Sequence, residues 1–402
     1  LLRRADQAMY QVKARKRSRS RWWGMALPEG QRDHTVELDV VAAPYGDHAG
    51  DLLQACREVW ERQLPAVVEQ FHAGLRLHEG IARLLDVLPA ADLETLKLRI
   101  LQHLQFLLRP DLDVDTHRKR ASRTGLFHAG CGLEEVWLLE TIEQLRDILA
   151  MQLGGSGPND RRALAILLQR LGMERQWQLE SMRELQRRRV ALLARVNALA
   201  GSAEGYLELI QGVVDALVSH REIAACAVGR PDASGELTYE AVAGVAFAEY
   251  LHALGTGKAM PIRVQAGSPD GEGPSGRAWR SATIQRCTHY GSDPSMLGWR
   301  DIALSLGVVS NVAIPLSPVP ATPAVLLTLY SPYAGGFQGE DQQAFVGQIK
   351  SVLDLALARL APPRQGTELL PFFGRERWRA LVATDALQMH YQPLIRLADG
   401  SV

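Results

Sequence analysis

The longest uninterrupted helical pattern of the chain, at about residues 159–199, constrains the fold most. It contains one glycine, Gly172, and no proline. Mostly apolar side chains recur along it at seven-residue intervals, with a second series between them: Leu164, Leu171, Gln178, Leu185, Leu192 and Leu199, and Leu168, Met182 and Val196. Such a heptad seam is typical of a coiled coil, so we expect a parallel homodimer through the 164–199 helix. The alternative is a long core helix inside one subunit, which the charged second half RELQRRRVALLARV disfavours.

Length and composition limit the class of protein. A chain of 402 residues is long enough for about two to three domains. Forty-five basic residues balance 45 acidic ones, so no overall charge favours nucleic acid or an anionic membrane as a partner. The longest apolar runs are too short to span a bilayer, we expect no export signal, and the four cysteines lack disulfide or metal spacing. These features predict a cytoplasmic protein without a membrane or nucleic-acid partner.

The pattern of apolar and turn-forming residues changes along the chain and predicts several domains. Residues 24–47 read as a linker, and the pattern from residue 48 to about residue 199 is helical throughout. From Gly201 onward, helices alternate with strand-like runs, which lie at 223–228, 237–242, 260–264, 308–316 and 324–330. This order predicts an α+β domain over residues 201–361, followed by a linker at 362–374 and a further helix.

A candidate binding site lies in the stretch HRKRASRTGLFHAGCGLEEVWL at residues 117–138. Read as a helix, the stretch places Ala121, Thr124 and Gly125 on the same face as His128. A face of small residues that ends in one imidazole suits a flat ring, and imidazole is the commonest axial ligand of haem iron. The residues alone leave two interpretations open, a haem ligand or a core histidine beside a glycine-rich turn.

Residues 48–190 resemble a sensor globin, the haem domain of globin-coupled sensors. The resemblance rests on LKLRILQHLQFLLRP followed by KRASRTGLFHAGCGLEEVWLL, in which His128 falls on the family's proximal histidine. It implies an all-α globin-like fold, haem b as the cofactor, His128 as the iron ligand, and oxygen or another diatomic gas as the signal.

The opposite side of the predicted haem departs from the family. The usual Phe-Tyr pair is replaced by Phe71-His72. A distal imidazole can donate a hydrogen bond to bound oxygen or coordinate the iron itself, and the alternative is that His72 is a partly exposed helix residue. Leu96 and Arg99 are expected on the distal side, although Arg99 can instead pair with a haem propionate or face solvent. We interpret His103 as a packing residue and assign no role to His117.

The second domain, over residues 201–361, resembles a GAF domain. The matching text is GEGPSGRAW (271–279), LGVVSNVAIPL (306–316) and LTLYSPYAGGFQGED (327–341). Large aromatic residues near its expected loops are candidates for a pocket, although such residues more often form a core: Trp279, Tyr290, Trp299 and Phe337. The sequence identifies neither a ligand nor a chromophore for this domain.

The two ends resemble parts of other signalling domains. ADQAMYQVK, within residues 1–23, resembles the closing helix of a GGDEF (diguanylate cyclase) domain. MHYQPLIRLADGSV, within residues 375–402, resembles the start of an EAL (cyclic di-GMP phosphodiesterase) domain. The resemblance implies a parent enzyme that makes or breaks cyclic di-GMP, while this chain has no catalytic residues and would meet GTP or cyclic di-GMP only through its truncated ends.

The sequence therefore predicts a multidomain sensory region with a coiled-coil linker at residues 185–205 that relays the state of a haem. Two alternatives remain open. One is a haem-free globin-like module for dimerisation and protein interaction, and the other is a regulatory protein that uses the GAF domain as its effector site.

Overall fold

The helix predicted at residues 159–199 is the longest element of the computed structural model, which describes residues 43–155, 157–319 and 321–360. The GGDEF-like helix at 1–23, most of the 24–47 linker, the 362–374 linker and the EAL-like end at 375–402 lie outside the described residues. The described chain begins with helices, which are α1 (Asp47–Leu75), α2 (Glu79–Asp86), α3 (Ala90–Leu107), α4 (Val114–Gly130), α5 (Glu135–Leu153) and α6 (Pro158–Ser202).

The ends of these helices follow from local sequence. The Asp113 carboxylate accepts a hydrogen bond from the Thr116 backbone N–H at 2.8 Å and so caps α4. Pro158 opens α6, where its fixed φ costs no helical hydrogen bond. α1 continues through Pro65, with the loss of one backbone hydrogen bond.

The heptad seam of α6 lies inside the chain's own core. Most of its members are buried, namely Leu171, Gln178, Met182, Leu185, Leu192 and Val196. α6 packs against α4 in its first half, and Leu192 and Val196 join the hydrophobic core of the second domain. The long core helix, the alternative to a free coiled-coil seam, is therefore what the structure contains, and pairing of α6 with a second copy stays a prediction.

The second domain is built around an antiparallel sheet with the strand order β2-β1-β5-β4-β3. Its elements are α7 (Tyr206–Val218), β1 (Ala225–Pro231), β2 (Leu237–Ala243), α8 (Val245–Gly255), α9 (Pro274–Ser281), β3 (Gln285–Cys287), a 3₁₀ turn (Pro294–Met296), α10 (Arg300–Ser305), β4 (Ser310–Leu316), β5 (Val325–Ser331) and α11 (Glu340–Leu360). This arrangement confirms the predicted α+β class. The run at 260–264 is not a strand, since only Arg263 forms an isolated bridge, to Glu236.

Both faces of this sheet are covered, as the continuous apolar runs of β4 and β5 require. Alternate residues of β1 enter different cores: Cys226 and Val228 pack with α7 and α11, whereas Ala225 and Ala227 face α8 and the 294–308 segment. Among the helices that the structure describes, none combines the length and the apolar surface that a membrane span requires.

Candidate functional site

His128 lies in the last turn of α4, where the backbone is held in a defined ending. The Leu133 N–H donates to the His128 carbonyl at 2.9 Å, and the Gly132 N–H donates to the Ala129 carbonyl at 3.1 Å. Gly132 has a φ of +83°, which a residue with a side chain rarely adopts. These bonds form a Schellman motif, so the glycine-rich turn ends the helix and fixes the backbone from which the His128 side chain extends.

The orientation of the His128 ring follows from a chain of hydrogen bonds. Its Nδ1 lies 3.0 Å from Gln178 Oε1, and Gln178 Nε2 donates to Glu174 Oε1 at 2.8 Å. An ionised carboxylate only accepts, so the Gln178 amide must turn its NH₂ to Glu174 and its oxygen to His128. His128 must then carry its proton on Nδ1, which leaves Nε2 with a free lone pair.

The environment of His128 favours the neutral imidazole. Burial lowers the pKa of His128, although the hydrogen bond to Gln178 and the charge of Glu174 act in the opposite direction. Protein atoms enclose the ring, and the residue as a whole is partly buried. Its Nε2 has no hydrogen-bond partner within the described residues.

Glu174 is a fully buried carboxylate at the centre of a polar cluster. His103 Nε2 lies 2.9 Å and His117 Nε2 lies 3.5 Å from its Oε2, and the Tyr45 hydroxyl is 2.8 Å from His117 Nδ1. Burial alone would raise the pKa of Glu174, but the two imidazoles outweigh it and hold that pKa well below its usual range. Among the described residues no group of three or more His, Cys, Asp or Glu side chains is arranged to hold a metal ion.

The face of α4 that carries small residues packs against α6 at Gly125, where the sequence predicted contact with a flat ring. A Cβ built on Gly125 would lie 2.5 Å from the Gln178 carbonyl oxygen and 2.6 Å from its Cα. Gly125 therefore allows the backbones of α4 and α6 to approach each other closely. The prediction that it presents a smooth surface to a flat ring is wrong, because α6 occupies that space.

His72 occupies a buried position in the last turn of α1, with 9% of its surface exposed. Its Nε2 is buried without a hydrogen-bond partner among the described residues. Burial, and then the charges of Lys97 and Arg76, lower the pKa of His72, so the ring is neutral at pH 7. The alternative that His72 is a partly exposed helix residue is wrong, and its unsatisfied nitrogen is a group that a ligand would complete.

Leu96 and Arg99 both lie on α3, which packs against α1, and a Lys97–Glu69 ion pair of 3.1 Å joins these two helices. Leu96 is partly buried, whereas Arg99 is exposed. No hydrogen bond within the described residues connects His72 or Arg99 with His128. The predicted site residues therefore lie on three helices, and their common site stays a prediction.

Sequence reasoning missed the residues that orient His128. Gln178 was visible as the one amide in a leucine series, and Glu174 precedes it by one helical turn on the same face. His117, to which no role was assigned, is fully buried beside Glu174. The sequence feature that could have identified these residues is the presence of polar side chains at core positions of a helix.

The second domain contains a small, partly open cavity of about 50 Å³ on the sheet face that carries Ala225. Tyr290 and Trp299, two of the predicted pocket aromatics, line it. The Asn311 amide donates to the Tyr290 hydroxyl at 2.8 Å, while Asn311 Oδ1 is buried without a partner among the residues that the structure describes. Phe337 and Trp279 instead pack in other apolar clusters of the domain.

The end of α4 is bonded directly to the second domain. Gln342 of α11 donates from Nε2 to the Gly130 carbonyl at 2.9 Å and to Glu222 Oε1 at 2.7 Å. Arg189 of α6 forms a buried, two-point ion pair with Glu222 at 2.6 and 2.7 Å and also donates to the Ala129 carbonyl at 3.2 Å. The helix that carries His128 thus shares its terminal hydrogen bonds with the second domain.

A comparison with protein families finds a match in the helical part of the chain. The model of the protoglobin family matches residues 45–172, a span that includes His72 and His128. The globin part of the sequence prediction is therefore confirmed over these residues. No curated protein matches the sequence.

Solved structures similar to the chain include GAF domains. A GAF domain from A. aeolicus in an inactive state is 12% identical, with a TM-score of 0.32 over 44% of this chain and 96% of that chain. The GAF domain of a phosphoenolpyruvate-protein phosphotransferase from Coxiella burnetii is 16% identical, with a TM-score of 0.33 over 43% and 95%. A free methionine-R-sulfoxide reductase from Neisseria meningitidis, in complex with its substrate, is 14% identical, with a TM-score of 0.32 over 42% and 87%.

Proposed function

We propose that this chain is the sensory region of a signalling protein and that its helical domain binds haem b through Nε2 of His128. The observation that carries the proposal is the order of hydrogen bonds from His128 through Gln178 to Glu174. This order places the proton on Nδ1 and leaves Nε2 as a ligand atom, as haem iron requires of an axial imidazole. Bound haem would supply reversible coordination of a diatomic gas, or a change of oxidation state.

His72 is the proposed residue on the other side of the haem. Its ring is neutral and buried, and its Nε2 lacks a partner among the described residues. Such an imidazole can complete its hydrogen bonding by donating to a bound gas, or it can act as a second axial ligand. Leu96 contributes apolar surface from α3, and the exposed Arg99 suits a propionate at the haem edge better than the pocket interior.

The proposed route of the signal begins at the end of α4. The carbonyls of Ala129 and Gly130 directly follow His128 and accept hydrogen bonds from Arg189 and Gln342. A shift of His128 along or about the helix axis would therefore change the bonds that hold the second domain. The GGDEF-like and EAL-like ends point to cyclic di-GMP synthesis or hydrolysis as the output of the parent protein.

Reconstitution with haemin tests the proposal. The wild-type chain should develop a Soret band, and His128→Ala should lose it, while His78→Ala should retain it as a control at a partly buried histidine in an ion pair with Glu140. The absence of a Soret band in the wild type would refute the haem sensor and favour the haem-free interaction module. A six-coordinate ferrous spectrum that becomes five-coordinate in His72→Ala would identify His72 as a second ligand.

A further inference from the structure

The carboxylate of Glu174 is joined to His128 by one neutral amide. Glu174 is fully buried, and Gln178 lies between the two residues with contacts of 2.8 Å to the carboxylate and 3.0 Å to the imidazole. Glu174 and Gln178 are both on α6, one helical turn apart, so the helix itself sets the spacing between them. The close approach at Gly125 brings α4 to the same point of α6.

An amide in this position transmits polarity without transmitting a proton. Its NH₂ group is polarised by the carboxylate, and its oxygen becomes a stronger acceptor for the His128 N–H, because hydrogen bonds in series reinforce one another. Gln178 has no acidic proton to exchange at neutral pH, so His128 remains a neutral imidazole and is not converted to an imidazolate. The arrangement differs in this respect from a carboxylate bonded directly to a ligand histidine.

We propose that Gln178 and Glu174 are positioning residues for the haem ligand: Gln178 fixes the His128 tautomer, and the charge of Glu174, acting through Gln178, increases electron donation from Nε2. The inference rests on the proposed function. A more electron-donating ligand favours ferric over ferrous iron, so the buried charge lowers the midpoint potential of the bound haem. His103 and His117 keep that charge in place by holding Glu174 ionised.

The test compares haem-loaded variants of the full chain by spectroelectrochemistry and by resonance Raman spectroscopy of the iron–histidine stretch, recorded on the photolysed carbon monoxide adduct. Glu174→Gln removes the charge but can still accept a hydrogen bond from Gln178. We expect it to raise the midpoint potential and to lower the stretching frequency. Gln178→Leu breaks the chain and should shift both quantities further in the same directions.

A swap of the two side chains gives the opposite sign. The double variant Glu174→Gln/Gln178→Glu keeps the composition but moves the charge next to His128, so its potential should fall below that of the wild type. A merely structural role of these residues would not produce shifts of opposite sign. Circular dichroism checks that each variant folds. If Glu174→Gln alone does not fold, the double variant still tests the effect of the charge on the midpoint potential.

The outcomes separate the two proposals. If the wild type binds haem through His128 but the potential and the stretching frequency are unchanged in Glu174→Gln, and the swap variant does not shift them in the opposite direction, the inference is wrong while the proposed function stands. If the wild type binds no haem, the proposed function fails, and the inference fails with it.

Discussion

At the scale of single residues, the contact between Gly125 and Gln178 decides how closely α4 and α6 pack. The space for a Cβ on Gly125 is taken by backbone atoms of Gln178, which cannot move as a flexible side chain can. Gly172, one to two helical turns before Gln178 on α6, has open space around the position of its Cβ. Packing between the two helices therefore requires a glycine at residue 125 but not at residue 172.

Gly125→Ala should destabilise the protein, and Gly172→Ala should not. The added methyl group at residue 125 forces the helices apart, and overpacking of this kind costs about 1–3 kcal/mol. At residue 172 the same change should raise the free energy of unfolding by up to about 1 kcal/mol, since alanine is the better helix former. Urea denaturation of both variants measures the difference, and equal midpoints would contradict the close approach of the two helices.

His220 should make the fold sensitive to mild acid. It is buried beside Glu222, and burial lowers its pKa from 6.5, with Glu222 acting against this and Arg189 adding to it. The folded state therefore binds this proton less readily than the unfolded state, so the stabilisation is complete above pH 6.5 and is lost as the pH falls from 6.5 through the lower folded-state pKa.

The expected loss from this one group is up to about 1.4 kcal/mol per pH unit within that window. His220→Asn should reduce the difference in unfolding free energy between pH 7.5 and pH 5.5. The same substitution at the exposed His252 is the control. An unchanged pH dependence in His220→Asn would show that its neutral burial is not what the structure implies.

The sequence was enough to select His128 as the candidate ligand but not to identify the residues that orient it. A glycine-rich helix end and a resemblance were enough to single out one imidazole. The partners of that imidazole lie 46 and 50 residues further on, at Glu174 and Gln178, and periodicity reports which face of a helix is buried without reporting what it is buried against. Gln178 thus read as an irregular member of a leucine seam.

At the scale of elements, the junction of α4, α6 and α11 depends on the buried pair Arg189–Glu222. Neither side chain is exposed by more than 6%, and Gln342 also bonds to this carboxylate. Removal of one partner would leave an uncompensated charge inside the protein. A buried pair of this kind is costly to break and also fixes how the elements around it are arranged.

Arg189→Met should lower the free energy of unfolding by about 3–5 kcal/mol, and Glu222→Gln should have a similar effect. The double variant should cost less than the two single variants added together, because it leaves no unpaired charge. Arg188→Met is a matched control, since this neighbouring arginine is exposed, pairs with Glu184 at 2.9 Å, and should cost less than about 1 kcal/mol. Equal losses at residues 188 and 189 would mean that the junction is not held by this pair.

Sequence periodicity predicted most elements and failed where two interpretations share one pattern. The strands at 308–316 and 324–330 were recognisable as short apolar runs bounded by turn residues, and the ends of β4 and β5 lie within two residues of the predicted ends. The heptad series of α6 fits both a coiled coil and a core helix, because each demands one apolar stripe. Only the placement of α4 and α11 against that stripe decides between them.

At the scale of the whole molecule, the heptad seam of α6 is buried inside the subunit, so a second copy would have to bind another face of this helix. The second half of α6 keeps another row of exposed residues, spaced alternately by four and three positions: Val190, Ala194, Asn197 and Gly201. This row has the periodicity of a coiled-coil interface, and Val190 is 59% exposed. If α6 pairs with a second copy, this face is available for the contact, while the buried leucines are not.

The two faces give different results when a charge is introduced. Ala194→Arg should convert the predicted dimer into a folded monomer, because it places charges on both sides of the exposed row without touching the core. Leu185→Arg should instead unfold the chain, since Leu185 is only 1% exposed and its seam packs inside the subunit. Gln176→Arg, at an exposed position of the first half of α6, is the control and should stay dimeric. Sedimentation velocity combined with circular dichroism distinguishes these states, and a wild type that stays monomeric, or an Ala194→Arg variant that stays dimeric, would rule out pairing through this row.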